Sequence, residues 1–215
     1  LRQVCCDPRL VSLTAAKKVQ LTAKLELLLE MIEELVAEGK KILLFSQFTS
    51  MLDLIIPELN KRKIDFVQIR GDTRDRAIPV KQFQNGDVPL FLLSLKAGGT
   101  GLNLTAADTV IHYDPWWNPA VENQATDRAH RIGQKKAVFV FKLIATGTIE
   151  ERMLELQDRK KAIAEGMYGD ENAVLTALTA ADLEVFFKPL SDSAGLAPQI
   201  GQLPAGKKKL SLVEF

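Results

Sequence analysis

The sequence is poor in cysteine, and the little it has cannot act as a staple: Cys5 and Cys6 are its only two, and they are adjacent. Neighbouring cysteines close no loop and lack the C-x-x-C spacing of a zinc knuckle, which excludes a disulfide framework and a structural zinc site. Two reduced thiols at a buried helix end are expected instead. No run of about 18 apolar residues occurs, and LRQVCCDPRL opens without the charged and apolar regions of a signal peptide. An intracellular protein with no membrane partner is therefore expected. Excess charge of either sign is missing too. Lys and Arg number 28 against 27 Asp and Glu, a net charge of +1, so any nucleic-acid binding must come from local patches. The balance of 47% hydrophobic and 26% charged residues over 215 positions excludes disorder and collagen-like repeats as the main state. There is no initiator Met, and the chain opens inside what reads as a structural element, so it is read as a piece of something longer.

A self-contained nucleoside-triphosphate site is also lacking. The segment from Gly201 to Lys208 has P-loop spacing, but it lacks the Ser or Thr that would hold magnesium, and Pro204 interrupts it. No Asp-Glu pair ends an apolar strand, and no metal ligands are assigned.

What is present is a regular alternation. Leu21, Leu25, Leu28, Leu29, Ile32, Leu35 and Val36 recur at helical spacing and stop at Gly39, a C-cap glycine. Short apolar runs at Lys41 to Ser46, Phe66 to Ile69, Leu90 to Leu93, Thr109 to His112 and Val138 to Leu143 read as buried strands. Between and after them, Ser50 to Lys61, Asp75 to Gln84 (despite Pro79), Pro119 to His130 and Thr148 to Glu165 read as helices. Strands of this length alternating with helices make βαβ units, so the fold class is α/β, a doubly wound parallel sheet flanked by helices, with extra N-terminal and C-terminal helices. Ligands of such sheets bind beyond the carboxyl ends of the strands, which directs attention to the loops after Phe45, Ile69, Leu93 and His112. The divisions expected are an N-terminal helical segment (1–40), the sheet lobe (41–168), a helical extension (169–190) that includes a helix at Thr179 to Phe187, and a flexible tail (191–215).

Three strand-end segments carry chemistry. Ser94 to Asn103 holds three glycines in four positions, dense enough for backbone amides to approach an anion, or simply a tight turn. Leu104 stands where a third dinucleotide-binding glycine would be, so a nicotinamide site is rejected. In Gln124 to Lys136, Arg128 and Arg131 lie three residues apart, and their forked donors suit phosphate oxygens; an exposed basic helix face is the plainer alternative. His112 to Pro119 places both tryptophans, Trp116 and Trp117, between two prolines, as a stacking surface or as a plug over the sheet end.

The ordered series ILLFSQFTSMLDLI (42–55), IRGDTRDRAIPVKQF (69–83), LLSLKAGGTGLNLTAADTVIHYDPWWNP (92–119) and QATDRAHRIGQKK (124–136) resembles motifs IV, V and VI of the Swi/Snf-type ATPases of helicase superfamily 2. The resemblance covers residues 1 to about 190. It implies the second, C-terminal RecA-like lobe of a double-stranded-DNA translocase, with ATP and Mg held mainly by an N-terminal RecA-like lobe of the same polypeptide. It also implies a lobe inactive by itself and monomeric. By the resemblance, Arg128, Arg131 and Gln124 are catalytic, the two arginines as fingers on the γ-phosphate. Gly99, Gly101, Asn103 and Asp127 face the nucleotide. Gln47, Phe48 and Thr49, with Lys96, Ala97 and Trp117, lie along the DNA. The segment after Gly71 departs from the family in being Arg-rich with Pro79 inside the expected helix. A docking module derived from such a lobe, and a self-sufficient enzyme with a phosphorylated substrate in the glycine loop, are the competing readings.

Overall fold

A computed structural model of the chain describes residues 1–95, 101–130, 134, 136–166 and 211–214. The expected helix at 179–187, the Gly201 to Lys208 near-match and most of the expected tail lie outside the described residues.

Five strands run parallel: β1 (Ile42–Ser46), β2 (Phe66–Ile69), β3 (Leu90–Ser94), β4 (Thr109–His112) and β5 (Phe139–Lys142). The helices are α1 (Arg2–Cys6), α2 (Ala23–Ala37), α3 (Thr49–Lys61), α4 (Ala77–Gln84), α5 (Pro119–Thr126) and α6 (Ile149–Gly166). The sheet order is β2-β3-β1-β4-β5-β6, where β6 (Ser211–Glu214) is antiparallel to β5. In β1, β3 and β4 every residue is buried, which is why these strands read as unbroken apolar runs rather than alternating ones.

The pleat divides those runs between two cores. Ile42, Leu44, Leu90, Leu92 and Ile111 pack with α2 and α3 through Leu28, Ile32, Leu52 and Ile55. Leu43, Phe45, Phe91, Leu93 and Val110 pack the other way, with Phe83 of α4 and Ala125 of α5. Each such side chain contributes roughly 1.5–3 kcal/mol of burial, and the doubly wound arrangement follows because both faces need a cover. The register leaves the carboxyl ends level: Ser46 lies opposite Ser94, and Phe45 opposite His112.

Helix α2 starts where Thr22 Oγ1 accepts the Leu25 amide at 3.4 Å. It ends at Gly39, whose φ of 73° lets the Lys40 amide return to the Leu35 carbonyl at 2.9 Å. Cys6 is buried and Cys5 half-buried, both as free thiols, and burial pushes the Cys6 thiol pKa up, away from its reactive form.

Two expectations need correction. Helix α5 stops at Thr126 rather than His130. Past Thr126 the chain tightens, with the Arg128 amide bonded to Ala125 O and the Ala129 amide to Thr126 O, each three residues back, and the Arg128 carbonyl accepts the Leu104 amide at 3.1 Å. The flexible tail expected for 191–215 does not hold at its end, where Ser211–Glu214 pairs with β5. A backbone edge recruits a strand through main-chain bonds, which a reading from Pro, Gly and Ser content does not register.

Candidate functional site

The loops at the carboxyl edge are joined through one buried carboxylate. Asp114, two residues past β4 and 4% exposed, accepts the Ser46 hydroxyl at 2.6 Å and the Gln47 amide at 3.1 Å. Ser46 Oγ in turn accepts the Phe48 amide at 3.2 Å. Burial pushes the Asp114 carboxyl above its usual range, and the bonds from Ser46 and Gln47 work against that rise. The Leu95 amide donates to Ser46 O at 2.8 Å, so the starts of three loops, after β1, β3 and β4, share one anchor.

Out of this junction α3 emerges with Phe48 as its N-cap residue and no side-chain cap. Thr49 and Ser50 are exposed at that uncapped end, and a helix N-terminus of this kind presents amides and a positive dipole to an anion. Gln47 is half-buried. Phe48 is half-buried too, packed on the α2/α3 core beneath the Arg2 guanidinium, 6.0 Å from its ring centroid. The ring of Trp117 lies 6.0 Å from that of Trp116 at an angle of 40°, and Trp117 remains partly exposed.

A second cluster forms where the loop before β4 meets the turn after α5. The Leu104–Arg128 bond joins them, and two glutamines staple the loop down. Gln84 of α4 donates to Asn103 O at 2.9 Å and accepts the Ala106 amide at 2.8 Å. Gln134 Nε2 lies 2.6 Å from Ala107 O and 3.1 Å from Thr105 O. Gly101, with φ 49°, has open space where a side chain would project, and Asn103, Gln124 and Asp127 are exposed beside it in sequence and on α5. Exposed amide and carboxamide groups at an open glycine suit one edge of a nucleotide. Arg128 differs from this set, since it is 2% exposed and belongs to the interior. Among the described residues no three His, Cys, Asp or Glu side chains stand together, so none offers magnesium a donor set.

A groove of about 280 Å³ lies between α5 and β5, lined by Asn123, Thr126, Asp127, His130, Val138 and Val140. Only Asp127 of the sequence-nominated residues reaches it. Neither Leu104 nor Arg128 lines it, so it is a different feature from their contact. His112, wholly buried and stacked on Phe45, shares a bond of 3.1 Å with Thr126 at the end of α5, and burial depresses its pKa to about 4.

The structure thus places Gln47, Phe48 and Thr49 at the Asp114 junction, Trp117 against Trp116 in the loop that follows Asp114, Gly101, Asn103, Asp127 and Arg128 along the two segments that the Leu104–Arg128 bond joins, and Gln124 on α5. Lys96, Ala97, Gly99 and Arg131 lie outside the described residues. Sequence reasoning missed Asp114, Gln84 and Gln134. The first sits inside a quoted motif and had a signal, a carboxylate directly after an apolar strand.

Fold and site together define a class: a RecA-like α/β lobe, the fold of the Swi2/Snf2 ATPase domains on which it superposes. The C-terminal domain of the Sulfolobus solfataricus SWI2/SNF2 ATPase matches with a TM-score of 0.62 at 32% identity, over 87% of this chain and 78% of that one. The helicase conserved C-terminal domain family matches residues 23–133. The chain belongs to that family, as the C-terminal lobe of a Swi2/Snf2-type motor. It is 42% identical over 196 residues to YwqA of Bacillus subtilis (strain 168), named as an ATP-dependent helicase/translocase, covering 87% of the chain and 21% of that protein. Identity to the chromatin-remodeling ATPase INO80 of Homo sapiens is 46% over 145 residues, covering 66% of the chain and 9% of that protein. The chain thus spans only a small part of the length of these relatives.

Proposed function

We propose that this chain is the second half of an ATP-dependent motor that moves along double-stranded DNA, completing an ATP site whose P-loop and magnesium ligands lie on an N-terminal RecA-like lobe. The observation that carries the reading is the Leu104–Arg128 backbone bond, which sets the glycine-bearing loop and the arginine-bearing turn side by side at one edge. Phosphoryl transfer is catalysed mainly by positioning and charge neutralisation, and an arginine finger contributes roughly 10³ to 10⁵ in rate. In this reading Gly101, Asn103, Gln124 and Asp127 line the nucleotide, and Arg131 supplies the finger. Arg128, being buried, serves as its support and reaches phosphate only if the turn opens.

ATP favours closure of the two lobes because its γ-phosphate gains the arginine contact. Hydrolysis removes that contact, so the lobes step relative to one another. The DNA track is held through phosphates by the uncapped α3 end at Gln47, Phe48 and Thr49, by Lys96 and Ala97, and by Trp117. A motor must be indifferent to sequence, so affinity falls steeply with salt. DNA as track places the protein at the nucleoid of a prokaryote or in a eukaryotic nucleus.

The test is ATP hydrolysis by the chain alone and joined to its upstream lobe, each with and without duplex DNA. Silence alone, DNA-stimulated turnover when joined, and loss of that turnover in Arg131→Ala with ATP binding retained are expected. Turnover by the isolated chain, or near-normal turnover in Arg131→Ala, would overturn the reading.

A further inference from the structure

The backbone of Trp116 is held at both ends by side chains from other elements. Its N–H donates to Glu122 Oε1 of α5 at 2.6 Å, and its carbonyl accepts from Gln157 Nε2 of α6. Lys142 of β5 closes the figure: its ammonium pairs with Glu122 Oε2 at 2.5 Å and donates to Gln157 Oε1 at 3.3 Å. The result is a ring of polar contacts, Trp116–Glu122–Lys142–Gln157, in which Glu122 is 1% and Gln157 4% exposed. Outside the ring, Arg2 stands over the Trp116 indole at 4.6 Å and donates to Pro115 O at 2.8 Å.

Burying an ion pair rarely adds stability over a well-packed apolar alternative, whereas it strongly penalises geometries that separate the charges. The ring is therefore better suited to fixing geometry than to raising stability. What it fixes is the tryptophan loop relative to α5, the helix that carries Gln124 and ends just before Asp127. The Thr126–His112 bond fastens the other end of α5 to β4, so helix, strand end and loop are tied at two points.

Resting on the motor reading above, we infer that Glu122, Lys142 and Gln157 are positioning residues that make α5 and the Trp116–Trp117 loop one rigid body, so that a nucleotide-driven displacement of α5 is delivered to the DNA side. None of the three touches nucleotide or DNA in this scheme. Without the ring, α5 still meets ATP, and the loop no longer follows it.

The experiment uses the complete two-lobed protein carrying Gln157→Leu, which removes the donor to Trp116 O, or Glu122→Gln, which keeps an acceptor for Trp116 N–H but loses the charge. ATP hydrolysis, displacement of a third strand from duplex DNA, and thermal melting are measured on each. Expected is a fall of about tenfold in base pairs moved per ATP for Gln157→Leu, with DNA-free hydrolysis held near wild type. Glu122→Gln should show a smaller fall. A purely structural role would instead lower melting temperature and both activities in parallel, and that result overturns the inference, as does an unchanged ratio of movement to hydrolysis. Should Gln157→Leu fail to fold, Glu122→Gln decides on the same ratio. A wild-type protein that hydrolyses no ATP with DNA overturns the motor reading itself, which separates the two failures.

Discussion

Two clusters of loop residues are built in opposite ways. At the Asp114 junction the polar groups are interior: Ser46 is 1%, His112 2% and Asp114 4% exposed, each with a partner across strands. In the loop before β4 and at the C-terminal end of α5, Gly101, Asn103, Gln124 and Asp127 are exposed, and the loop is held by the stapling glutamines and by the Leu104–Arg128 backbone bond. The difference is one of cost. Buried polar groups must be satisfied within the fold, so the junction is rigid, while exposed ones are satisfied by water until a ligand replaces it. A rigid junction and an adaptable exposed cluster thus coexist in one lobe, as the proposed motor cycle requires of a body that turns as a unit.

That contrast can be broken at its rigid end first. Asp114→Ala leaves the Ser46 hydroxyl and the Gln47 amide without their acceptor, and a loss on the order of 3 kcal/mol is expected in urea unfolding. A loss under about 0.5 kcal/mol would mean that the junction is not the anchor described.

Acid probes the same end through His112. Its folded pKa of about 4 lies below the unfolded value near 6.5, so the unfolded chain binds more protons between those values. Stability should fall as pH drops through that window, by on the order of 2 kcal/mol between pH 7.5 and 5. Asp114, raised by burial, opposes this, because its protonated form is favoured in the fold. Chemical denaturation at several pH values should show the acid slope, and His112→Gln should flatten it; an equal slope in the variant would reassign the effect.

The boundary between the regions is tested by Gln84→Ala, which frees Asn103 O and Ala106 N. The expected cost is about 1 kcal/mol by urea unfolding, accompanied by faster amide exchange confined to residues near 101–107. Uniform exchange along the chain would show that the staple has no local role. The smallest stability effect belongs to Asp127→Ala, within about 0.5 kcal/mol of the parent, since this side chain is exposed. In the two-lobed protein the same change should weaken ATP turnover. A large destabilisation with unchanged turnover would invert the comparison.

Most of the sheet was legible because burial on both faces forces unbroken apolar runs at β1, β3 and β4, and helices α2 and α3 carry clear periodicity. The end of α5 was not, because the tightening of the chain past Thr126 into bonds three residues back leaves no mark in the apolar periodicity. Nor was β6, whose recruitment is a matter of backbone edges. Within the candidate site the motifs were legible as ordered segments. Their supports were not: Gln84 reads as an ordinary helix residue, and Glu122, Lys142 and Gln157 are spread over three elements with no spacing that links them.

The α/β class, the family and the segments that carry its motifs can be read from the chain alone, because pattern and motif are local properties. Which polar groups are interior is settled in three dimensions. The tertiary structure turned Arg128 inward, made Asp114 the shared anchor and closed the ring around Trp116. Burial and hydrogen-bond partners arise between residues distant in sequence, so the partners of a buried polar group are set by the fold as a whole.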